Sequence, residues 1–348
     1  MKKLTILFLF LFSFQISKAQ ELETILLAAE DASLLSEKYL DPAVKGLMYS
    51  MNGGWYTTAK THKTFGFDLT IAAGASFVPN SAQTFAFLPS DYSFLSLPNG
   101  ETTLNTVMSE NDLETQVDVR IPNGDGTFKL ASFDMPGGIT KDLPVNAVPA
   151  PVVQLGFGLP YKTDIKVRFV PELDFDDSVS ANLFGLGLQH DLMQYFKPLE
   201  KTPLHVSLLA AFTTMKVGYT IEDEDPSDNV TVTNGLAAFK MNTWTVQALA
   251  SLDFKVITLY GGLGYNNGKS TVKMKGNYTV TYDVEDTNGV PLGTVEESIS
   301  NPINLDFEAN GIRATLGTRL NLGFFKIFAD YTFQEFNTAT AGIAFSFR

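Results

Sequence analysis

The stretch TWTVQALASLDF, Thr243–Phe254, alternates at every position but Leu249. Trp244, Val246, Ala248, Ala250, Leu252 and Phe254 fall on one face; Thr243, Thr245, Gln247, Ser251 and Asp253 fall on the other. A period of two belongs to a β-strand, whose successive side chains point to opposite faces. The pattern recurs along the chain. In Thr64–Val78, Phe65, Phe67, Leu69, Ile71, Ala73, Ala75 and Phe77 oppose Thr64, Asp68, Thr70, Gly74 and Ser76. Further on, Phe325, Ile327, Ala329, Tyr331 and Phe333 oppose Lys326, Asp330, Thr332 and Gln334, and the last segment repeats this with Ala341, Ile343, Phe345 and Phe347.

Alternation alone fits a soluble sandwich, a soluble barrel or a membrane barrel. Length and aromatic placement favour the membrane barrel. The segments run to about ten residues or more, as a tilted crossing needs, and Phe, Trp and Tyr cluster near their ends as interfacial girdles do. The expected fold is all-β: a transmembrane antiparallel β-barrel of roughly 10–14 strands, best read as about 10–12, with a short N-terminal helical segment. A secreted soluble β protein is the alternative. Closure is a physical requirement, because hydrocarbon leaves no partner for an unpaired sheet edge. The polar faces then meet across a lumen. Its candidate lining residues are Asp68, Lys166, Arg168, Gln247, Asp253, Arg313, Arg319, Lys326 and Asp330; they would line a path or pair with one another to fill a narrow barrel.

The first residues, MKKLTILFLFLFSFQISKAQ, read as a secretory signal peptide over 1–19: a basic start, a short apolar run and a Ser17-Lys18-Ala19 cleavage site. The chain has no cysteine, which excludes a disulfide scaffold and an N-terminal lipid anchor. A net charge of −13 argues against a nucleic-acid partner. The acidic groups cluster in Glu222–Asp225 and Asp174–Asp177, between alternating segments, as in polar connecting loops. Glu222–Asp228 lacks the ligand spacing of a calcium loop and reads as a solvated external loop; no metal or cofactor is expected.

Counting back from the C-terminal strand, as a periplasmic ending requires, gives each connection a side. Asn321–Gly323, Lys255 and Leu159–Tyr161 become short periplasmic turns. The loops 172–178 and 221–239 become external, and 256–284 with 293–320 become the arms of a long external hairpin, tipped by Asp286–Gly289. In GLGLQHDLMQYFKP, Gly185–Pro198, the period changes midway. Asp191 is expected to cap a short rim helix, Leu192–Phe196, next to His190. Residues 21–51 read as helical to about Tyr39, broken at Asp41-Pro42 and resumed to Asn52-Gly53-Gly54. The chain thus divides into 1–19, a helical plug or periplasmic segment at 20–60, and the barrel at 61–348. Within the barrel, 80–149 is a loop-rich insertion holding a hairpin, Thr115–Ile121 with Thr127–Phe133.

VVQLGFGLPYKTDIKVRFVPEL (152–173) and GLGLQHDLMQYFKP (185–198) resemble segments of an uncharacterised Gram-negative outer-membrane barrel family. The final AGIAFSFR resembles the C-terminal strand signal of such barrels. The plan, a helical segment before a barrel, is similar to the long-chain fatty-acid transporter type. The resemblance implies an outer-membrane location and carries over no ligand residue. Two functions follow as expectations. One is a channel or transporter for small, hydrophobic molecules. The other is a structural barrel that binds a protein partner at the hairpin 256–320. A hydrolase lacks a recognisable constellation, so no enzyme is expected. Outer-membrane lipid is the expected surrounding.

Overall fold

The computed structural model describes residues 23–98, 100–143, 145–175, 178–196, 202–221 and 230–347. The signal peptide, Leu22, Pro198 and the acidic run 222–225 lie outside the described residues. Ten strands form the barrel: β1 Phe67–Phe77, β2 Ala147–Leu159, β3 Thr163–Phe175, β4 Val179–Asp191, β5 Leu204–Ile221, β6 Val230–Asp253, β7 Ile257–Glu285, β8 Ile303–Leu322, β9 Phe325–Phe333 and β10 Thr338–Phe347. Each pairs antiparallel with its neighbours, and β1 pairs with both β2 and β10, so the ring closes. Short connections after Leu159, Asp253 and Leu322 mark one end of the barrel, the turn end. The opposite end is the loop end. There β6 and β7, at 24 and 29 residues, run well past the length of a membrane crossing.

The two faces separate as alternation predicts. Thr243, Thr245, Gln247 and Ser251 are buried inward, while Trp244, Val246 and Leu252 are exposed outward. Leu263 and Leu316 are 66% exposed and Ile312 is 78% exposed, all on the outer surface of adjoining strands. An apolar surface of this extent is stable only against hydrocarbon or another protein. Among the described residues no helix is long and apolar enough to cross a membrane. Ala248 lies outward, midway along this band. Ala248→Arg is expected to cost about 2–4 kcal/mol of stability, as Arg does at a bilayer midplane. Asn304→Arg, outward but beyond the band, is expected to stay within about 0.5 kcal/mol. Unfolding in denaturant, followed by heat-modifiable gel mobility, checks both.

Several expectations need correction. The N-terminal segment is a 3-10 helix, Glu23–Asp31, followed by α1, Ala32–Met51, which runs unbroken through Pro42. An interior proline costs about 3 kcal/mol. Here Leu35, Tyr39, Val44, Met48 and Met51 are all buried, and that packing outweighs the lost hydrogen bond. The rim helix is a 3-10 turn, Leu192–Tyr195, in which Asp191 accepts from Met193 N at 2.8 Å as predicted. The external hairpin has its tip at the expected place, but its second arm is split. Pro291–Ser300 pairs with β7, then Asn301 adopts a left-handed φ of 51° before β8 begins. Strand β6 already starts at Val230, so the connection at 221–239 is shorter than read.

The insertion 80–149 sits over the loop end. Its hairpin, Thr115–Pro122 with Phe128–Met135, also pairs with β7 at Asp283–Glu285. Val117, Phe133 and Met135 join Ile25, Leu26 and Leu35 in one apolar core. The Asp31 carboxylate accepts from the N–H groups of Ser93 and Phe94 at 2.8–3.0 Å and ties helix to insertion. Burial, then the nearby Asp91 and Asp31 carboxylates, pushes the Tyr92 hydroxyl up to about 12.

Candidate functional site: a filled lumen beneath an apolar cavity

From the loop end, α1 descends into the barrel; its last residues, 50 and 51, and the non-helical run 52–62 beyond them form a thread toward the turn end. The thread is held along its length. Ser50 Oγ donates to Val148 O at 2.9 Å. Arg168 donates to Met51 O at 2.8 Å and Gly53 O at 2.7 Å, and Arg313 donates to Asn52 O at 2.7 Å. Lys166 donates to Trp55 O at 2.7 Å. Tyr56 bonds Gln247, Thr58 bonds Asp253 at 2.9 Å, and the His62 backbone and ring bond Asp164 at 3.0 and 2.9 Å.

A helix ends with unpaired carbonyls and the negative pole of its dipole. In most helices water or a glycine motif satisfies them. Here Arg168 meets the carbonyl of Met51, the last helical residue, and that of Gly53 just beyond, while Arg313 meets that of Asn52; the two side chains are 0% and 2% exposed. Each buried cation gains hydrogen bonds, and the helix gains a fixed position. Arg168 also stacks on Trp55, its guanidinium 3.6 Å from the ring centroid. Gly185 and Gly187 make room for that ring: a Cβ at either would come within about 3 Å of it. The unusual alternation GLGLQHD is therefore the imprint of Trp55 on the wall.

The candidate lining residues have distinct positions. Lys166, Arg168, Gln247, Asp253 and Arg313 touch the thread directly. Arg319 reaches Thr57 at 3.1 Å and Asp253 at 3.5 Å. Asp330 accepts from Tyr260 at 2.9 Å, and Asp68 accepts from Thr70 at 3.3 Å. Lys326 stands apart at the turn-end rim, on Gly323 O. His190 bonds Thr163 and Tyr195, while His205 bonds Asp191 at 3.0 Å. Trp55, Tyr56 and Ser50 belong to the site, yet alternation could not flag them because they lie outside any strand. Among the described residues no cluster of His, Asp and Glu has metal-binding geometry.

Above the thread lies an apolar cavity of about 340 Å³, between α1 and β2–β7. Leu40, Val44 and Leu47 line it from the helix, and Val170, Leu183, Met215, Val217 and Val272 from the wall. The wall is incomplete there. Strands β2 and β3 pair only from Gln154–Arg168 to Leu159–Thr163; among the described residues the ladder stops beyond that. Gly158 exchanges both backbone bonds with the chain before β1, so even-numbered residues of β2 address β1 and odd-numbered ones address β3. Pro149 and Pro151 are odd-numbered. The donors that an open edge would leave unpaired have been removed by proline. Pro171 follows on the facing strand. Pro149 and Pro151 are level with Ala75 and Ala73, between the outward Phe77 and Phe67, so the gap lies within the apolar band. Both prolines also line the cavity, which therefore reaches the wall where the ladder stops.

Among solved structures, the chain is similar to the protease OmpT of Escherichia coli, at 10% identity and a TM-score of 0.29, over 82% of this chain and 99% of that one. It is similar to Ail of Yersinia pestis at 10% identity and a TM-score of 0.25, over 82% and 100%. It is similar to the translocator domain of the autotransporter NalP of Neisseria meningitidis at 10% identity and a TM-score of 0.24, over 82% and 90%. Similarity this low adds nothing to the fold read from the strand pairing itself. No curated protein matches the chain. A family model does match, over residues 1–347, and the chain belongs to that family, a family of unknown function (DUF6588).

Proposed function

We propose that this chain is an outer-membrane barrel that binds a small hydrophobic molecule and passes it between the membrane and the loop-end cavity. The observation that carries this reading is the coincidence of cavity and gap. An apolar chamber reaches the wall at hydrocarbon height, where the β2–β3 ladder stops beside prolines that make an open edge tolerable. In this reading the turn end is periplasmic and the loop end external, and an N-terminal signal directs the chain there. The thread at 50–62 separates the chamber from the turn end, so the lumen is not an open aqueous path. The reading assigns the barrel no reaction.

A fluorescent fatty acid such as cis-parinaric acid tests it. The purified protein is expected to bind the probe, and Val217→Trp, which fills the chamber, to weaken binding about tenfold or more, as losing an apolar contact of a few methylenes does. Equal binding by both proteins would sink the reading. A second reading, a barrel that recruits a protein partner, rests on the hairpin 256–320. Val290 and Leu292 beside its tip are 52% and 58% exposed, far from the apolar band.

A further inference from the structure

On the outer surface, just past the band at the loop end, β5–β7 carry Lys216, Lys240, Lys269, Lys273 and Lys275 around a groove of about 850 Å³. Lys216 and Lys240 are direct cross-strand partners. Like charges placed opposite each other destabilise a sheet. Lys269 is neutralised by Glu308 at 2.5 Å, but among the described residues Lys216, Lys240, Lys273 and Lys275 form no ion pair. The groove also holds Glu172 and Asp306, which leaves it net positive on a chain of net charge −13. Two outward positions toward the turn end, β6 and β7 present Trp244 and Tyr265, both exposed, with ring centroids 6.0 Å apart. Cations above and aromatics below form the complement of an amphiphile with an anionic head.

We propose that this groove binds the phosphorylated glycolipid of the outer leaflet. Its phosphates are held by Lys216, Lys240, Lys273 and Lys275, and its acyl chains run down over Trp244 and Tyr265. The lysine pair, unfavourable alone, becomes favourable once a phosphate bridges it. The inference rests on the outer-membrane orientation proposed above but not on the cavity; the fatty-acid probe reads the cavity separately.

The test is native mass spectrometry of the mature chain in neutral detergent. It is titrated with bisphosphorylated lipid A, with dephosphorylated lipid A, and with inorganic phosphate as competitor. The phosphorylated form is expected to bind about tenfold tighter or more, from charge-assisted hydrogen bonds alone. The variant K216Q/K240Q/K273Q/K275Q should lose that preference, and K216R/K240R/K273R/K275R should keep it. If the Gln variant does not fold, salt replaces it: raising ionic strength must weaken only the phosphorylated lipid in the wild type. No preference in the wild type overturns the proposal. A preference retained without the lysines overturns it too. So does displacement by inorganic phosphate at equal concentration, which would mark a free-anion site.

Discussion

Deleting residues 23–62 is expected to turn a sealed barrel into an ion-conducting one. The thread at 50–62 fills the lumen, and its removal exposes Lys166, Arg168, Gln247, Asp253 and Arg313 to water along one column. A ten-stranded ring is only a little wider than one whose side chains fill it, so the thread is what closes it. Planar-bilayer recordings should show discrete openings for the deletion and none for the intact chain. Removing only 23–49 should leave conductance absent, because the thread keeps its anchors on Arg168, Lys166, Asp253 and Asp164. An assembled deletion barrel that stays silent would show that wall side chains alone close the lumen. Openings from the shorter deletion would show that the helix, and not the thread, is the seal.

Arg168→Leu is expected to free the lower end of α1 while leaving the ring intact. The substitution removes two bonds, to carbonyls at and just beyond the helix end, and the stacking on Trp55. At about 1.5–3 kcal/mol for each charge-assisted bond, the anchor loses about 3–6 kcal/mol. The chain has no native cysteine, so Ser50→Cys supplies a unique thiol at a buried position beside that anchor. Its maleimide labelling should be slow in the otherwise native barrel and faster by orders of magnitude once Arg168 is Leu. Heat-modifiable mobility reports the barrel separately. Unchanged labelling would mean that Arg313 and Lys166 hold the thread without help.

The two faces of the wall were legible because a period of two survives any tertiary context that has an inside and an outside. The inward placement of Arg168 and Arg313 followed from that parity alone. Their role did not, because their acceptors are backbone carbonyls of residues 51–53, which carry no side-chain signature and lie over a hundred positions away. A trace of the thread was nonetheless present. Gly185, Gly187, Gly262 and Gly268 all fall on inward positions, and a Cβ there would press on Trp55, Tyr56 or Met48. Glycine on a polar strand face reads as a weak strand; with the coordinates it reads as clearance. The prolines of β2 were equally visible in sequence. Which neighbour their missing donors faced required the register. Pro42 misled because a local rule met a helix held by tertiary contacts.

The order of the thread in the chain has a consequence for assembly. Residues 23–62 precede every barrel strand in the chain, yet the groups that fix them all come later: the insertion holds Asp31, and β2, β3, β4, β6 and β8 hold the thread. The thread cannot be locked until the ring is nearly complete. It also cannot be inserted afterwards without pulling a helix through a closed pore. The last step of folding must therefore be concerted, with β1 zipping onto β10 while the leading segment already lies between the closing edges. An assembly factor that holds the sheet open would be holding it open around this chain's own beginning.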